Sequence, residues 1–229
     1  GSLYTFDEGV TVNKVHNWTN GTCTVCGDPC DHKDSTHTTA TNNGDGTHSF
    51  ECSECEKTAT EVHTLNYTAN GNIITESCSI GCGHTGTATI SATGKTYDGT
   101  AVEVIVSKTG SLENTIIPVT LTKDGEAFTG EPVNAGAYTA SVTLGDKTVS
   151  VDFTIAKAAA GITLAPTPNT LTYIGEARYL INPGEAVGGT MVYSLTENGD
   201  YTTSIPQGTN AGDYTVWYYV QGDANHNDS

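Results

Sequence analysis

The amino-acid sequence predicts an all-β protein in which a segment rich in cysteine and histidine precedes two tandem β modules. Thr, Val, Tyr and Ile alternate with polar residues, and 26 glycines interrupt them, a pattern typical of strands joined by turns. An internal repeat has a fixed offset of 76 residues, which indicates duplicated modules. All seven cysteines and six of the seven histidines precede residue 89. We therefore expect three domains, at 1–88, 89–157 and 158–229.

Composition restricts the class of partner. The chain carries a formal net charge of −17 and is 36% hydrophobic. A surface this acidic repels nucleic-acid phosphates and anionic lipids. No apolar run approaches the roughly 20 residues of a transmembrane helix. We expect no nucleic-acid partner and no membrane insertion of this segment.

Residues 1–88 contain closely spaced cysteines flanked by histidines. The cysteines form three pairs and one single residue: Cys23-x2-Cys26, Cys52-x2-Cys55, Cys78-x3-Cys82 and Cys30. The histidines that flank the first two pairs are His16, His32, His48 and His63. Two thiolates on one tight turn, completed by imidazoles from flanking strands, match the ligands of tetrahedral zinc. A metal would also replace the core that such a Gly- and Thr-rich stretch cannot build.

The spacing leaves two groupings of these ligands open. The first assigns one ion to His16, Cys23, Cys26 and His32, where Cys30 could replace either histidine, and a second ion to His48, Cys52, Cys55 and His63. In the other grouping, a four-thiolate site joins Cys52, Cys55, Cys78 and Cys82. Under the first grouping, Cys78 and Cys82 form a short disulfide or a third site with His84.

Disulfides are the main alternative to zinc, because cysteines of secreted chains usually pair. An odd number of cysteines argues against complete pairing, and a redox Cys-x2-Cys motif needs a helix N-terminus. A rubredoxin-type iron site would colour the protein red. Catalytic zinc needs an open coordination position and a general base, and the sequence has neither His-Glu-x-x-His nor His-x-Glu. We expect structural zinc and no enzymatic activity.

The two β modules repeat the same short motifs. Tyr97-Asp98-Gly99 corresponds to Tyr173-Ile174-Gly175, and Asn134-Ala135-Gly136 corresponds to Asn210-Ala211-Gly212. We expect the glycines to serve turns and Tyr97, Tyr138, Tyr173 and Tyr214 to be core or strand-face residues. Alternation predicts one face with Tyr138, Ala140, Val142 and Leu144, another with Tyr214, Val216 and Tyr218, and a closing strand at 148–155. The second module stops before a counterpart of that strand, so we expect a truncated module of a longer parent chain.

These motifs resemble a known family. Tyr97-Asp98-Gly99-Thr100-Ala101, Asn134–Tyr138 and Phe153–Lys157 resemble YDG and MBG-type modules of large bacterial surface proteins. The second module keeps Asn210–Tyr214 and Gly222–His226 but has Ile174 in place of aspartate, so it is more similar to the MBG type. The Cys/His segment is similar to knuckle repeats found upstream of such modules. The resemblance implies an extracellular, cell-surface or cell-wall location, Ig-like or β-grasp-like topology and no catalysis.

We expect a structural or adhesive stalk segment of a secreted or wall-attached bacterial surface protein. Its partner would be an unknown extracellular protein or glycan, and the segment itself would be monomeric. The alternatives are a glycan- or protein-binding module that uses Trp217, Tyr218 and Tyr219, and an accessory region of a larger exoenzyme. Alternation puts Trp217 and Tyr219 on one face and Tyr218 on the other. Solvent exposure of Trp217 would favour the binding module.

Overall fold

A computed structural model describes residues 18–19, 22–23, 40–53 and 57–229. This part of the chain contains 24 strands and no helix, which confirms the predicted all-β class. It follows that no helix long and apolar enough to cross a membrane occurs among these residues. Backbone contacts divide the chain into two compact units. The first takes in the described residues up to 68, with 75–88 and 108–115, and the second takes in 69–74, 89–107 and 116–229.

Short sheets make up the described N-terminal half of the chain. The strands of the N-terminal half are β1 (Trp18–Thr19), β2 (Thr22–Cys23), β3 (Thr41–Asn42), β4 (Thr47–Glu51), β5 (Thr58–Val62), β6 (Leu65–Asn70), β7 (Ile73–Cys78), β8 (Thr85–Ala92), β9 (Lys95–Thr96) and β10 (Val104–Gly110). β1 pairs with β2, and β3, β4 and β5 form a three-stranded sheet. Strands β10, β8, β7 and β6 hydrogen-bond in that order.

Except for residues 108–115, the first module lies in the second unit. Its further strands are β11 (Val119–Lys123), β12 (Glu126–Phe128), β13 (Gly136–Leu144) and β14 (Lys147–Ala156). They form a five-stranded sheet in the order β12-β11-β13-β14-β9. Tyr138, Ala140 and Val142 are buried on one face of β13, as the alternation predicts. On β14, the Phe153 ring stacks on Tyr138 with centroids 5.3 Å apart. The predicted closing strand is therefore present, and it completes the core of this module.

Short strand pairs form the second module. Its strands are β15 (Ala158–Ala159), β16 (Gly161–Leu164), β17 (Thr167–Pro168), β18 (Arg178–Tyr179), β19 (Ile181–Asn182), β20 (Glu185–Val187), β21 (Gly189–Ser194), β22 (Gln207–Gly208), β23 (Trp217–Gly222) and β24 (His226–Asn227). The longest ladder joins β21 to β23. The buried core contains Leu180, Ile181, Met191, Tyr193 and Val220.

The repeat is visible in the backbone of both modules. Gly99 and Gly175 have φ of 79° and 78°, and Gly136 and Gly212 both have φ of 154°, a range in which glycine is favoured. The predicted turn role is confirmed for Gly99, Gly175 and Gly212, whereas Gly136 is the first residue of β13. The hydroxyl of Tyr138 donates to the carbonyl of Asn134 at 2.8 Å. In the second module, Tyr214 makes the same bond to Asn210 at 3.0 Å.

Two expectations for the second module are wrong. Tyr173 is 66% exposed and Tyr214 is 41% exposed, whereas Tyr138 is 2% exposed. The strand predicted to include Tyr214 begins at Trp217. The physical reason is that β13 has a ladder partner on both of its edges, β11 and β14, while residues 213–216 belong to no strand.

Candidate metal centre and module junction

Three predicted ligands meet in the first unit. The ligand atoms of His48, Cys78 and Cys82 all lie within 4.8 Å of one another. The residues are 3%, 6% and 5% exposed. In a tetrahedral zinc site with Zn–S of about 2.3 Å and Zn–N of about 2.0 Å, neighbouring ligand atoms are about 3.5–3.8 Å apart. Small side-chain adjustments would bring this cluster to that spacing, so it can hold a metal ion.

A tight hairpin between β3 and β4 positions His48. The Asn42 side chain accepts a hydrogen bond from the backbone N–H of Gly44 at 2.9 Å, and Asp45 accepts one from the N–H of Thr47 at 3.0 Å. Such side-chain bonds to the backbone favour turns over continued strand. His48 is the second residue of β4 and lies on the same buried face as Phe50. The turn therefore sets the register between β3 and β4, and with it the position of the His48 imidazole.

The turn between Cys78 and Cys82 brings both thiols to one side. The N–H of Gly81 donates to the carbonyl of Cys78 at 3.1 Å, and the N–H of Cys78 donates to the carbonyl of His84 at 3.0 Å. Neither thiol is in a disulfide. Burial raises the pKa of the Cys78 thiol, but hydrogen bonds from the Cys82 thiol and from the backbone of the turn outweigh burial and leave this pKa below its ordinary value. The turn thus stabilises the thiolate form that a metal binds.

The buried carboxylate of Glu76 lies on β7, two residues before Cys78. Glu76 is 6% exposed, and it accepts hydrogen bonds from Tyr67 at 3.0 Å and Ser111 at 2.8 Å. Its Oε1 is also 2.9 Å from Nε2 of His84. Burial raises the pKa of Glu76, but these three bonds outweigh burial and hold it below its usual value. This network fixes β7 and the segment that carries His84 beside the cysteine turn.

Sequence reasoning missed Glu76, although a signal for it exists. Ile74, Glu76 and Cys78 alternate along β7, and all three are buried. Period-2 alternation with a predicted ligand therefore places the carboxylate on the buried face. A carboxylate on such a face needs hydrogen-bond donors, and the tyrosine, serine and histidine partners supply them.

His63 lies at the edge of the cluster. Its ring stacks on His48 with centroids 5.5 Å apart and contacts His84 at 4.3 Å. Both ring nitrogens are buried and have no hydrogen-bond partner among the described residues. Buried polar atoms normally have partners. His63 is nevertheless not among the residues whose ligand atoms lie within 4.8 Å of one another.

The structure describes only some of the remaining predicted ligands. His16, Cys26, Cys30, His32 and Cys55 lie outside the described residues. Of Cys23 only the backbone is described, paired with Trp18. Cys52 is fully buried, and its N–H donates to the carbonyl of Lys57 at 2.9 Å. The cluster therefore crosses the two predicted groupings, because it combines His48 of the first with Cys78 and Cys82 of the second.

A second constellation joins the two β modules through residues that all belong to the second unit. The Asn225 side chain accepts a hydrogen bond from the N–H of Ala135 at 2.8 Å and donates one to the side chain of Asn134 at 3.1 Å. The ring of His226 meets the edge of Tyr97, with centroids 5.3 Å apart. The turn before β24 in the second module thus contacts the repeated Asn-Ala-Gly turn of the first.

Internal bonds hold that turn in shape. His226 Nδ1 is 2.7 Å from the carboxylate of Asp223, and the N–H of Asn225 donates to the same carboxylate oxygen at 2.7 Å. The hydrogen bond from His226 and then that from Asn225 lower the pKa of Asp223. The first module adds the amine of Lys157, which donates to the carbonyl of Asp223 at 3.3 Å.

Aromatic side chains of β23 reach solvent. Trp217 is 38% exposed and Tyr218 is 40% exposed. Tyr219 is half-buried against Tyr201, with ring centroids 4.9 Å apart. The exposure of Trp217 is the observation that favours a binding surface.

Comparison with known proteins finds no family model, no curated protein and no solved structure that matches the chain. The resemblance to YDG and MBG-type modules therefore rests on the short motifs alone. Functional inference rests on the geometry of the chain itself.

Proposed function

We propose that the chain is a non-catalytic stalk segment of a secreted or wall-attached bacterial surface protein, built from a zinc-stabilised N-terminal domain and two rigidly joined β modules of Ig-like or β-grasp-like type. The junction between the modules carries the proposal. A spacer must keep its modules in fixed orientation, and a junction made of side-chain hydrogen bonds and a ring contact provides that constraint.

The junction uses residues that serve the modules in other ways. Asn134 and Ala135 belong to the repeated turn. Asn225 lies in the turn before β24, and His226 is the first residue of β24, which pairs in parallel with β15. Each neutral hydrogen bond contributes about 0.5–1.5 kcal/mol. Two such bonds and the Tyr97–His226 contact are enough to favour one orientation over free rotation about the linker. Repetition of this contact along a longer chain would produce a stiff rod.

Relative motion of the modules tests the stalk. We expect ¹⁵N relaxation of the full chain to fit one rotational diffusion tensor for residues 89–157 and 158–229. Asn225→Ala removes both side-chain bonds and should give the second module a shorter apparent correlation time. Asn182→Ala is the control, because its side chain donates only to Thr167, inside the same module. Independent tumbling of the wild-type modules, or an unchanged tensor in Asn225→Ala, would contradict the proposal.

Zinc is the ion that suits the candidate metal centre. Two thiols and an imidazole are soft and borderline ligands, and the three residues are each less than a tenth exposed. Exclusion from solvent supports a structural role, since a catalytic zinc keeps an open position for water. Because the surrounding core is thin, we expect zinc binding to contribute to the free energy of folding.

Elemental analysis of protein purified without chelator tests the ion. We expect at least one zinc per chain. His48→Gln and Cys82→Ser should each lower the zinc content by one equivalent, because each removes a ligand atom. His226→Gln is the matched control, since that imidazole bonds Asp223 at the junction. A zinc-free wild type, or equal loss in His226→Gln, would contradict zinc at this centre, and a red iron-containing protein would replace it by a rubredoxin-type site.

A binding module is the second candidate function. The exposed Trp217 favours it, because aromatic faces stack against sugar rings and partner side chains. Its ligand would be an extracellular glycan or protein.

A further inference from the structure

We propose that Cys78 and Cys82 are a reversible disulfide site, at which a hydroperoxide joins the two sulfur atoms and releases the metal ion of the candidate centre. The inference rests on the proposed zinc centre and adds a chemical means by which its ion leaves. Three features of the first unit support it: the closeness of the two thiols, the glycines of the turn that joins them, and the ligand set that remains after oxidation.

The two thiols are close enough to be joined. Their sulfur atoms lie within 4.8 Å of each other, and the Cys82 thiol donates a hydrogen bond to the Cys78 sulfur. Neither sulfur is in a disulfide. Cys52, the other cysteine whose side chain is described, is not a member of this cluster. Among the described cysteines, Cys78 and Cys82 are therefore the pair that oxidation joins.

The turn between the cysteines can change its geometry. Cys78 is the last residue of β7, and its N–H donates to the carbonyl of His84 at 3.0 Å. Cys82 belongs to no strand and has a glycine on each side. Gly81 and Gly83 have φ of 73° and 88°, and no atom lies within 4 Å of the position that a Cβ would take. Because glycine has few steric limits, the turn can bring the sulfurs to the roughly 2.05 Å of a disulfide.

The surroundings of the thiols select the class of oxidant. Cys78 and Cys82 are 6% and 5% exposed, so a folded redox protein cannot reach both sulfurs. Ser79, Gly81 and Gly83 are exposed, so the turn itself lies at the surface. Hydrogen peroxide is small and uncharged, and neither the burial nor the net charge of −17 excludes it. In the extracellular location proposed for the chain, conditions are oxidising and close cysteines usually pair.

Oxidation proceeds in two displacements. One thiolate attacks a peroxide oxygen, so that an S–O bond forms, the O–O bond breaks and hydroxide leaves as water after protonation. The second sulfur attacks the resulting sulfenic acid, so that the S–S bond forms, the S–O bond breaks and a second water leaves. The two sulfurs lose two electrons and the peroxide gains them. The two protons come from the thiols of a metal-free chain, or from solvent when the sulfurs start as metal-bound thiolates.

The disulfide and the metal ion exclude each other. Two of the three ligand atoms in the centre are these sulfurs, and the third belongs to His48. A sulfur in a disulfide has lost the thiolate charge that binds zinc, and one imidazole does not make up a four-ligand site. The ion in turn slows oxidation, because it shares the thiolate electrons and holds the sulfurs about 3.5–3.8 Å apart.

Peptide mapping of the full chain tests the site. Trypsin cleaves after Lys57 and Lys95, no Lys or Arg lies between them, and residues 58–95 contain no cysteine besides Cys78 and Cys82. Protein purified without chelator is treated with hydrogen peroxide, alkylated with iodoacetamide and digested. We expect the 58–95 peptide to carry no alkyl group and to be lighter than the reduced peptide by two hydrogen atoms. Dithiothreitol before alkylation should restore both alkylation sites.

The metal dependence has its own readouts. Removal of metal with a chelator should make the disulfide form at least tenfold faster. Peroxide should release one equivalent of zinc less from Cys82→Ser than from the wild type, because the variant lacks this centre. Cysteines elsewhere in the chain cancel in that comparison, since both proteins contain them.

The outcomes separate this inference from the proposed function. Alkylated Cys78 and Cys82 after peroxide treatment, a disulfide from either residue to another peptide, or equal zinc release from the wild type and Cys82→Ser would overturn the disulfide site. A zinc-free wild type would overturn both the zinc centre and the release of its ion. A zinc-loaded wild type whose 58–95 peptide stays alkylated would overturn the disulfide site alone.

Discussion

Lys95 and Asp98 form an ion pair in the first module, and the second module replaces both residues. The Lys95 amine is 2.7 Å from the Asp98 carboxylate, which also accepts bonds from the N–H and hydroxyl of Thr100 at 2.9 and 2.8 Å. The amine and then the Thr100 groups lower the pKa of Asp98 to about 2. Leu171 and Ile174 occupy the equivalent positions. The second module therefore lacks both charges of this pair.

We predict that Lys95→Met raises the pKa of Asp98 from about 2 toward its ordinary value of 3.8. Because the folded-state pKa is lowered, the pair stabilises the fold above the ordinary pKa, and this contribution is lost as pH falls toward 2. Lys95→Met should therefore flatten the acid dependence of stability in that window. Carboxyl ¹³C titration measures the shift. Asp146, whose own pKa is lowered by Lys147, is the internal control, and an unchanged Asp98 would contradict the assignment.

The types of the metal ligands are predictable from the sequence, but their grouping is not. Short spacing places Cys78 and Cys82 on one turn, because a tight turn is a local structure. The approach of His48 depends on how the β3-β4-β5 sheet packs against the cysteine turn, which no spacing encodes. For the same reason, the sequence motif alone could not select between the groupings.

At the scale of elements, β13 and β23 show what alternation can and cannot predict. Both segments alternate apolar and polar residues, and both follow the same Asn-Ala-Gly turn. In the first module the strand β13 begins at the glycine of this turn, Gly136, whereas in the second module β23 begins only at Trp217, after Gly212. Alternation reports which face is apolar, whereas a strand also needs hydrogen-bonding partners along its edges. The pattern therefore predicts both the buried face and the strand length in the first module, and neither of them for residues 214–218 of the second.

The turns were predictable to the level of backbone angles, because their causes are local. Gly99 and Gly175 adopt nearly the same φ although the intervening residue differs, Asp98 in one module and Ile174 in the other. A left-handed position selects glycine whatever lies beside it. The junction was not predictable in this way, since Asn225 meets Asn134 through tertiary packing.

At the scale of the whole molecule, exposed aromatic side chains concentrate in the second module. Among the described residues, the large exposed aromatics are Tyr173, Tyr179, Tyr214, Trp217 and Tyr218. The chain has 26 acidic and 9 basic residues, so electrostatic attraction favours no anionic ligand. Trp217 is 38% exposed, so it is the side chain that separates a stalk from a binding module.

We predict that the chain is a stalk and that no glycan or extracellular-matrix protein binds to it through Trp217. The full chain, Trp217→Ala and the control Tyr179→Ala are compared on a glycan array and on immobilised extracellular-matrix proteins. Tyr179 is 56% exposed, so its loss removes a similar area of aromatic surface. A ligand bound by wild type and Tyr179→Ala, but at least tenfold more weakly by Trp217→Ala, would replace the stalk with the binding module. The amide chemical shifts of β21, which pairs with β23, are measured on the same variant and separate this loss from unfolding of β23.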